Sequence, residues 1–383
     1  MKSISITACL LLVIVIGTAQ DKPSKTQFMV RGYGHSGLNS FSDGSETETN
    51  FEGTAFAPIF LFKHSDRIMF EAELEFELED EGVKIGFEYA DFNYILNDYM
   101  TFRAGKFLLP FGTFVERYHP AWINKLSNMP LGFGHDGIAP SSGIGAELRG
   151  GFQLGYSKLN YSIYTTNGPI LNTGADEPEE SGILHFENYE DNNSNKAVGG
   201  RLGLLPFSNS SLELGFSMLT GKVGDEGDSI YENVTAELMA VDLSFVKQIS
   251  VIKGIIDIKG QYNISNISDA TYFETHPGDS IPEEYTFNNS STAYYGQLSY
   301  RPSMLENKFF KNVEIVGRYS VIQTPEGAEW EQEATQLTVG LNYWLSWRSV
   351  LKFSYQMTES EGGHGGSGVT NTTGMFFHWA LGF

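Results

Sequence analysis

Residues 67–79 carry the feature that most restricts the fold of this chain, a strict alternation of apolar and acidic side chains. The apolar positions of this run are Phe70, Ala72, Leu74, Phe76 and Leu78, and the acidic positions are Glu71, Glu73, Glu75, Glu77 and Glu79. An α-helix would scatter residues of this spacing around its circumference, whereas a β-strand places them on two opposite faces. The run therefore predicts a strand with one apolar and one charged side.

The same alternation recurs along the whole chain, interrupted by turn-forming residues, and predicts about sixteen strands. Most of them have the ~9–11 residues that a tilted β-strand needs to cross a bilayer. The predicted strands cover 26–34, 51–62, 67–79, 83–96, 99–108, 142–149, 152–166, 196–205, 211–222, 234–247, 253–266, 290–301, 312–323, 333–345, 350–358 and 372–383.

The connections between these strands differ in length according to their order. The even-numbered connections are short, near 63–66, 97–98, 150–151, 206–210, 248–252, 302–311 and 346–349. The odd-numbered connections, apart from 80–82, are long, at 35–50, 109–141, 167–195, 223–233, 267–289, 324–332 and 359–371. In transmembrane β-barrels, short turns face the periplasm and long loops face outside. The sequence therefore predicts an all-β, antiparallel barrel in the outer membrane of a Gram-negative bacterium, with both termini periplasmic.

The start of the chain has the pattern of a secretory signal peptide. Lys2 is followed by an apolar stretch over 4–16, and small residues end at Ala19. This stretch is shorter than the ~20 apolar residues that a membrane-spanning helix requires. We therefore predict that residues 1–19 are removed and that 20–383 form a single outer-membrane barrel domain.

Composition excludes several other classes of function. Cys9, the one cysteine of the chain, lies in the predicted signal peptide, so the mature protein has no disulfide or thiolate chemistry. The formal net charge of −22 excludes nucleic acid as a partner, because such binding needs basic surfaces. No spacing of residues indicates a catalytic, cofactor or metal site, so we predict a protein that is not an enzyme and holds neither cofactor nor metal.

The two faces of the predicted strands have different surroundings in a barrel. The apolar face contacts outer-membrane lipid, where a charge at the membrane centre costs roughly 2–4 kcal/mol. The opposite face encloses a water-filled lumen, where fixed charges of both signs bias which ions dwell. The candidate lumen-lining residues are Glu71, Glu73, Glu75, Arg103, Glu147, Arg149, Lys158, Arg201, Lys259 and Arg318.

The segment 105–151 contains the longest connection and is rich in aromatic residues and proline. A loop this apolar is unfavourable in water. We therefore predict that it folds inward, buries its aromatic rings against the barrel wall and narrows the pore. The candidate residues of this constriction are Lys106, Glu116, Arg117, His119, Lys125 and Asp136.

A resemblance to a known family rests on short runs in the same region. These are Arg103-Ala104-Gly105-Lys106-Phe107, Pro110-Phe111-Gly112, Glu116 and Asn167-Gly168. In them the chain resembles the phosphate-selective (O/P-type) porin superfamily. The resemblance implies a homo-trimer of sixteen-stranded barrels, each with its third loop folded inward. It also implies a channel for passive diffusion of small hydrophilic solutes or ions, including anions such as phosphate.

Two other functions fit parts of the sequence. The aromatic residues over 107–133 suit a transporter of hydrophobic substrates, which would bind them without carrying ion current. The acidic connection 167–195 suits a non-conducting barrel whose surface loops bind a partner. Deletion of that connection would then abolish partner binding, whereas a channel would keep its conductance.

Overall fold

The computed structural model describes residues 26–79, 82–134, 137–186, 189–274, 283–362 and 368–383. Within these residues, sixteen antiparallel strands form one closed barrel. The strands are β1 (Gln27–Ser42), β2 (Thr47–Lys63), β3 (Ile68–Glu79), β4 (Gly82–Asn97), β5 (Met100–Leu108), β6 (Ser142–Leu154), β7 (Ser157–Thr166), β8 (Ala197–Leu205), β9 (Leu212–Lys222), β10 (Thr235–Ile249), β11 (Gly254–Ile267), β12 (Ser290–Arg301), β13 (Val313–Gln323), β14 (Gln332–Trp344), β15 (Ser349–Gly362) and β16 (Val369–Gly382). The predicted signal peptide, 1–19, lies outside the described residues.

Each strand pairs with its neighbours in chain order, and the ring closes where β1 pairs with β16. At this seam Leu38 lies opposite Phe377, and Ser40 lies opposite Met375. Closure leaves no strand with an unpaired edge. The prediction of an antiparallel barrel of about sixteen strands is thereby confirmed for the described part of the chain.

Helical structure takes the form of short turns in the connections. A π-helical turn covers Phe114–Tyr118, and 3₁₀ turns cover Pro178–Glu180 and Phe310–Asn312. Across the residues that the structure describes, no helix has the length and apolar character needed to cross a membrane.

The two faces of the barrel wall differ in polarity. On β9, Phe216 is 46% exposed, whereas its neighbour Ser217 is buried. On β15, Phe353 is 46% exposed and stands between the buried polar residues Lys352 and Ser354. Because alternate side chains of a barrel strand point outward and inward, the outer surface is apolar and the inner surface is polar.

Two connections that the sequence predicts to be long are shortened by the strands on either side of them. β1 and β2 stay paired as far as Ser42 and Thr47, so the first connection is 43–46 rather than 35–50. The last connection, predicted over 359–371, likewise lies mostly within β15 and β16. The residues in these extensions are largely polar, so the apolar alternation that marks a strand is lost although the pairing continues.

The turn predicted at 150–151 is also wrong, because β6 runs through both glycines and turns at 155–156. A Cβ atom on Gly150 would lie 1.8 Å from the carbonyl oxygen of Tyr99. Glycine is therefore required there for the close approach of two strands. Gly155, in the actual turn, has a φ of +61°, which favours glycine.

The long connections lie together at one end of the barrel, here called the long-loop end. They are 109–141, 167–196, 223–234 and 268–289. The other end, called the short-turn end, holds tight turns such as 98–99 and the longer connection 302–312, and β1 begins and β16 ends there. The predicted alternation of long and short connections thus holds in the central part of the chain. Which end of the barrel faces the periplasm stays a prediction.

An apolar cluster fills part of the long-loop end. It joins inward-facing wall residues with side chains of the long connections, which pair locally as Ile170–Leu171 with Leu184–His185 and as Tyr272–Glu274 with Glu283–Tyr285. Its main members are Phe107, Phe111, Tyr164, Leu171, Phe186, Leu219, Leu238, Tyr272 and Phe287. The loops at this end are therefore packed against the wall over a broad area.

Candidate functional site

The connection 109–141, here called the β5–β6 loop, is bonded to polar inner side chains of distant strands. The backbone N–H of Gly112 donates to Oγ of Ser217 on β9 at 3.0 Å. The N–H of Thr113 donates to Oε1 of Gln261 on β11 at 2.8 Å. The loop begins where β5 ends. These two bonds therefore show that it crosses within a few residues to strands that are not neighbours of β5.

Lys125 attaches the middle of the loop to the wall by charge. Its Nζ donates to Oγ of Ser299 at 2.8 Å and lies 2.9 Å from Oδ2 of Asp257, and it also contacts Glu314. Burial opposes the positive charge, but Glu314 and Asp257 outweigh it and raise the pKa of Lys125 above its ordinary value. Lys125 therefore keeps its proton and bridges the two carboxylates.

Asn128 joins the loop to three wall strands, β13, β14 and β15. Its Nδ2 donates to Oε1 of Gln336 at 2.9 Å and to Oε1 of Gln356 at 2.6 Å. Nη2 of Arg318 donates to Oδ1 of Asn128 at 2.6 Å and to its carbonyl oxygen at 3.0 Å. Arg318 is only 1% exposed, so Asn128 supplies acceptors to a guanidinium that is shielded from water.

The loop backbone is held by two more donors from the wall. Nζ of Lys352 donates to the carbonyl oxygens of Ala121 and Leu126. Nδ2 of Asn342 donates to the carbonyl oxygen of Lys125 at 2.7 Å. These bonds satisfy carbonyl groups that have no partner within regular secondary structure.

Three aromatic rings of the loop, those of Phe111, Phe114 and Phe133, are buried. Phe114 and Phe133 pack edge-on against Tyr295 of β12, with ring centroids 5.5 and 5.1 Å away. Phe111 belongs, with Phe107 of β5, to the apolar cluster at the long-loop end. The rings thus fix the loop against the wall through packing as well as hydrogen bonds.

A continuous chain of ion pairs, here called the charge chain, runs along the inner wall and through the loop. Acidic and basic groups alternate in it, so each arginine lies between two carboxylates at 2.5–3.9 Å. In order, its members are Asp91, Arg103, Glu147, Arg149, Glu116, Arg117, Glu213, Arg201 and Asp242.

Arg117 is the link between the loop and β9 in this chain. Its Nη1 donates to both carboxylate oxygens of Glu213, at 3.0 and 3.1 Å. Burial opposes its charge, but Glu116 and Glu213 outweigh it and raise the pKa of Arg117 further. The side chains of Arg117 and Arg149 remain 33% and 39% exposed, so both present charge to solvent.

A polar cavity of about 430 Å³ opens beside the charge chain. Thr101 and Met69, near the first residues of β5 and β3, line it, so it lies on the short-turn side of the loop. Its other lining residues are Glu71, Asn93, Pro110, Glu116, Arg117, Arg149, Gly150, Asn160, Tyr161, Ser162 and Arg201.

The glutamates of β3 form the acidic part of the inner wall. The hydroxyl of Tyr33 donates to Oε1 of Glu73 at 2.8 Å, and Nδ2 of Asn93 donates to Oε1 of Glu71 at 3.1 Å. Nε2 of His119, from the loop, lies 3.9 Å from Oε1 of Glu88 on β4. The loop is therefore in contact with the acidic wall as well as with the charge chain.

Lys106 does not join the other predicted constriction residues. It lies three positions after the inward-facing Arg103, an odd step, and so projects from the outer face of β5. Its Nζ donates to the carbonyl oxygen of Phe87 at 2.5 Å and lies 5.2 Å from the centroid of the Tyr189 ring. We therefore remove Lys106 from the constriction.

The remaining constriction candidates occupy different places. Glu116 and Arg117 belong to the charge chain, Lys125 lies among the carboxylates of β11 and β13, and His119 lies beside Glu88. Asp136 lies outside the described residues.

The candidate lumen-lining residues lie on the polar face of their strands. The structure brings Arg103, Glu147, Arg149 and Arg201 together in the charge chain, and it bonds Lys259 to Asp257 at 2.7 Å. Glu75 follows Glu73 along the acidic wall, and Arg318 bonds to the loop. Lys158 is set apart near the short-turn end, where its Nζ donates to Oγ of Ser210 at 2.9 Å. Their part in solute passage stays a proposal.

The candidate residues predicted from the sequence are all charged or histidine, and they omit three uncharged residues of the site. Asn128 holds the loop, and Asn160 and Ser162 line the polar cavity. The alternation of β7 places Asn160 and Ser162 on the inner face, so that signal was present in the sequence. Asn128 carries no such signal, because it lies in an irregular loop.

Metal-ligating groups come together in the connection 167–196. Ligand atoms of Glu177, Glu180 and His185 lie within 4.8 Å of one another. Glu180 and His185 also contact the amide of Asn172. Exposed groups of this kind are ordinary in hydrated loops, and we assign them no role.

Comparison with known proteins finds similarity in structure. No family model matches the chain, and no curated protein matches its sequence. The anion-selective porin from Comamonas acidovorans superposes with a TM-score of 0.59 at 11% identity, over 94% of this chain and 100% of that one. The outer membrane channel DcaP of Acinetobacter baumannii gives a TM-score of 0.57 at 12% identity, over 94% and 99%.

A third similar structure is OmpF of Salmonella typhi in complex with daunomycin. It superposes with a TM-score of 0.57 at 10% identity, over 92% of this chain and 97% of that one. At such low identities the likeness establishes a shared porin-type barrel fold and leaves function to be argued from the site.

Proposed function

We propose that this protein is an outer-membrane porin that forms a water-filled channel for passive diffusion of small hydrophilic solutes and ions. The observation that carries the proposal is a closed barrel whose inner face is lined by charged and amide groups and whose outer face is apolar. An apolar outer face suits lipid, and a charged inner face suits water. The porin-type fold of the similar structures supports the same function.

The mechanism needs no catalytic residue. Solutes move down their concentration gradient through the hydrated interior, and the β5–β6 loop narrows the bore because it is bonded to wall strands from β9 to β15. The polar cavity lies on the short-turn side of that narrowing. Fixed charges along this path bias which solutes dwell there.

Ion preference follows from how the arginines are paired. Each arginine of the charge chain lies between two carboxylates, which offset its positive charge locally. The glutamates of β3 add negative charge to the nearby wall. We therefore propose a general channel rather than one selective for phosphate.

The same proposal covers location and assembly. The apolar outer face supports a location in the outer membrane of a Gram-negative bacterium, and the short turns support a periplasmic position of the short-turn end. Residues 1–19 act as the export signal. A homo-trimer follows from the resemblance to the O/P-type porins.

The two alternative functions find less support in the site. The rings that suggested a hydrophobic-substrate transporter, such as Phe111 and Phe114, are buried in packing and present no apolar track to a ligand. The connection 167–196 is acidic and exposed near Glu177, but Leu171 and Phe186 anchor it in the apolar cluster. A partner-binding surface remains testable by deleting its exposed part.

Planar-bilayer recording tests the proposal. The folded, purified protein is expected to add conductance in discrete steps, and the reversal potential under a salt gradient measures its ion preference. Well-folded protein that inserts into the bilayer without any conductance steps would refute the channel function. Deletion of 175–179 is expected to leave the steps intact.

A further inference from the structure

We propose that the polar cavity binds small zwitterionic solutes, with their carboxylate against Arg149 and Arg117 and their ammonium group against Glu71. The inference rests on the proposed channel function and names the class of solute that this channel retains. Short peptides with free termini are the members of that class that can reach both ends of the cavity.

The cavity has the size of a ligand site and is open on one side. Its volume of about 430 Å³ lies within the ~300–1,000 Å³ typical of small-molecule pockets. One side is the barrel wall from β3 to β8, and the other is the β5–β6 loop through Pro110, Glu116 and Arg117. Charged groups of opposite sign therefore line one and the same cavity.

The acidic end of the cavity is fixed in position. Oε1 of Glu71 accepts a hydrogen bond of 3.1 Å from Nδ2 of Asn93. The same amide donates to Oδ1 of Asp91 at 2.6 Å. Asn93 thus orients Glu71, whose carboxylate has further acceptor sites for an ammonium group.

The basic end is formed by guanidinium groups that keep part of their surface exposed. Arg149 donates to Oε1 of Glu116 through Nη2 at 3.2 Å, and Arg117 donates to Glu213 through Nη1. A guanidinium has five N–H donors in a planar fork that matches a carboxylate. Arg149 and Arg117 therefore retain donors for a solute carboxylate beside their structural bonds.

The two ends are separated on the scale of a short peptide. Through the paired strands, Glu71 of β3 shares a row with Gly145 of β6. Arg149 is therefore three strand spacings, roughly 14 Å, across the wall from Glu71 and four residues, roughly 13 Å, along it. Both long side chains line the same cavity and shorten the gap between their charged groups. Thr101, Asn160 and Ser162 offer neutral hydrogen-bonding groups between them. This arrangement matches a solute with opposite charges at its two ends.

Electrostatics favours a zwitterion over a simple ion. An anion that reaches Arg149 also meets the carboxylates of Glu71 and Glu116, and a cation that reaches Glu71 also meets Arg117 and Arg149. A zwitterion places each of its charges near a group of opposite sign, so it alone gains at both ends.

The experiment compares three probes on the full-length folded protein in planar bilayers. Glycylglycine carries both charges, N-acetylglycine only the carboxylate, and glycinamide only the ammonium group. Glycylglycine is expected to reduce the single-channel current in a saturable way. Each singly charged probe should bind about tenfold more weakly, because it loses one charge-assisted contact.

Variants locate the effect. Glu71→Gln and Arg149→Gln should each weaken glycylglycine block about tenfold. Glu71→Gln should also remove the advantage of glycylglycine over N-acetylglycine. Lys308→Gln, which removes an exposed charge in the connection 302–312, is the matched control and should leave the block unchanged.

The outcomes separate this inference from the channel proposal. If conductance steps persist but the three probes block equally, or if both cavity variants behave like Lys308→Gln, the zwitterion site is refuted and the channel stands. If no conductance steps occur, the channel fails. Calorimetric titration of the detergent-solubilised protein with glycylglycine then decides the cavity separately, and absence of saturable heat refutes the site.

Discussion

The carboxylate of Glu116 accepts a hydrogen bond of 3.2 Å from Nη2 of Arg149, and this pair joins the β5–β6 loop to the wall strand β6. The other oxygen of Glu116 accepts from Nε of Arg117 at 3.3 Å. Glu116 thus lies between Arg149 and Arg117, the two most exposed arginines of the charge chain. Its charge offsets theirs at the edge of the polar cavity.

Loss of this carboxylate should make the channel prefer anions. Glu116→Gln keeps the size of the side chain but leaves Arg117 and Arg149 less compensated. The chloride-to-potassium permeability ratio should rise about twofold. Two unit charges about 4 Å apart in water interact by about 1 kcal/mol, and salt screens this interaction further. Reversal potentials in a potassium chloride gradient measure the ratio. A shift toward potassium, or none, would contradict the charge arrangement.

A disulfide should be able to tie the β5–β6 loop to β15. Oγ of Ser127 and Oγ of Ser354 lie 3.5 Å apart, close enough for paired sulfur atoms after a small shift. The variant Ser127→Cys with Ser354→Cys should cross-link on mild oxidation, and the one native cysteine, Cys9, lies in the proposed export signal. Gel mobility of the unfolded protein with and without reductant detects the link. Each single-cysteine variant serves as control, and failure of the pair to cross-link would place the loop elsewhere.

Asn128→Leu should destabilise the barrel through Arg318. The change removes the side-chain acceptor of a buried guanidinium and the donor to Gln336 and Gln356. We expect the free energy of unfolding to fall by about 2–3 kcal/mol, because a buried charged group loses a hydrogen bond. The midpoint of thermal unfolding in detergent, followed by the strand signal, checks this.

The matched control for that change is Asn371→Leu, at an exposed position of β16. It makes the same substitution outside the loop contacts and should leave the midpoint almost unchanged. Equal midpoints for the two variants would mean that Asn128 adds nothing to stability.

Gly150→Ala should disturb the pairing of β6 with β5. The added Cβ would lie 1.8 Å from the carbonyl oxygen of Tyr99, so the backbone must move, at a cost of about 1–3 kcal/mol. Gly317→Ala on β13 is the control, because nothing lies within 4 Å of its Cβ position. Heat-modifiable mobility on gels reports the folded fraction, and it should fall for Gly150→Ala alone.

Much of the fold can be predicted from the sequence, because successive side chains of a barrel strand point alternately to the polar interior and to the apolar outer surface. The glutamates from Glu71 to Glu77 mark the inner face of β3, and the same alternation, counted from Arg103, puts Lys106 on the outer face. The motif resemblance that includes Lys106 carries no information on which face that residue occupies. Gly150 and Gly151 resemble turn residues in the sequence, whereas glycine at 150 permits a close strand contact.

The details of the loop are not readable in the same way. Its residues have no period, so nothing local indicates that Asn128 meets Arg318, which is 190 positions away. Nor does charge alone reveal that Glu116 pairs with Arg149 and Arg117 with Glu213. Such partners are decided by how the closed ring brings distant strands together, which is a property of the whole fold.

The pairing of β1 with β16 has a consequence for how the ring assembles. Asn39 and His378, joined by a hydrogen bond of 2.7 Å across this seam, are 339 positions apart. Contacts so remote in the chain slow folding, because ordering entropy is lost before they form. Until they form, two rows of backbone groups stay unpaired, a state that hydrocarbon penalises strongly. Joining of the first and last strands should therefore be coupled to entry into the bilayer rather than precede or follow it.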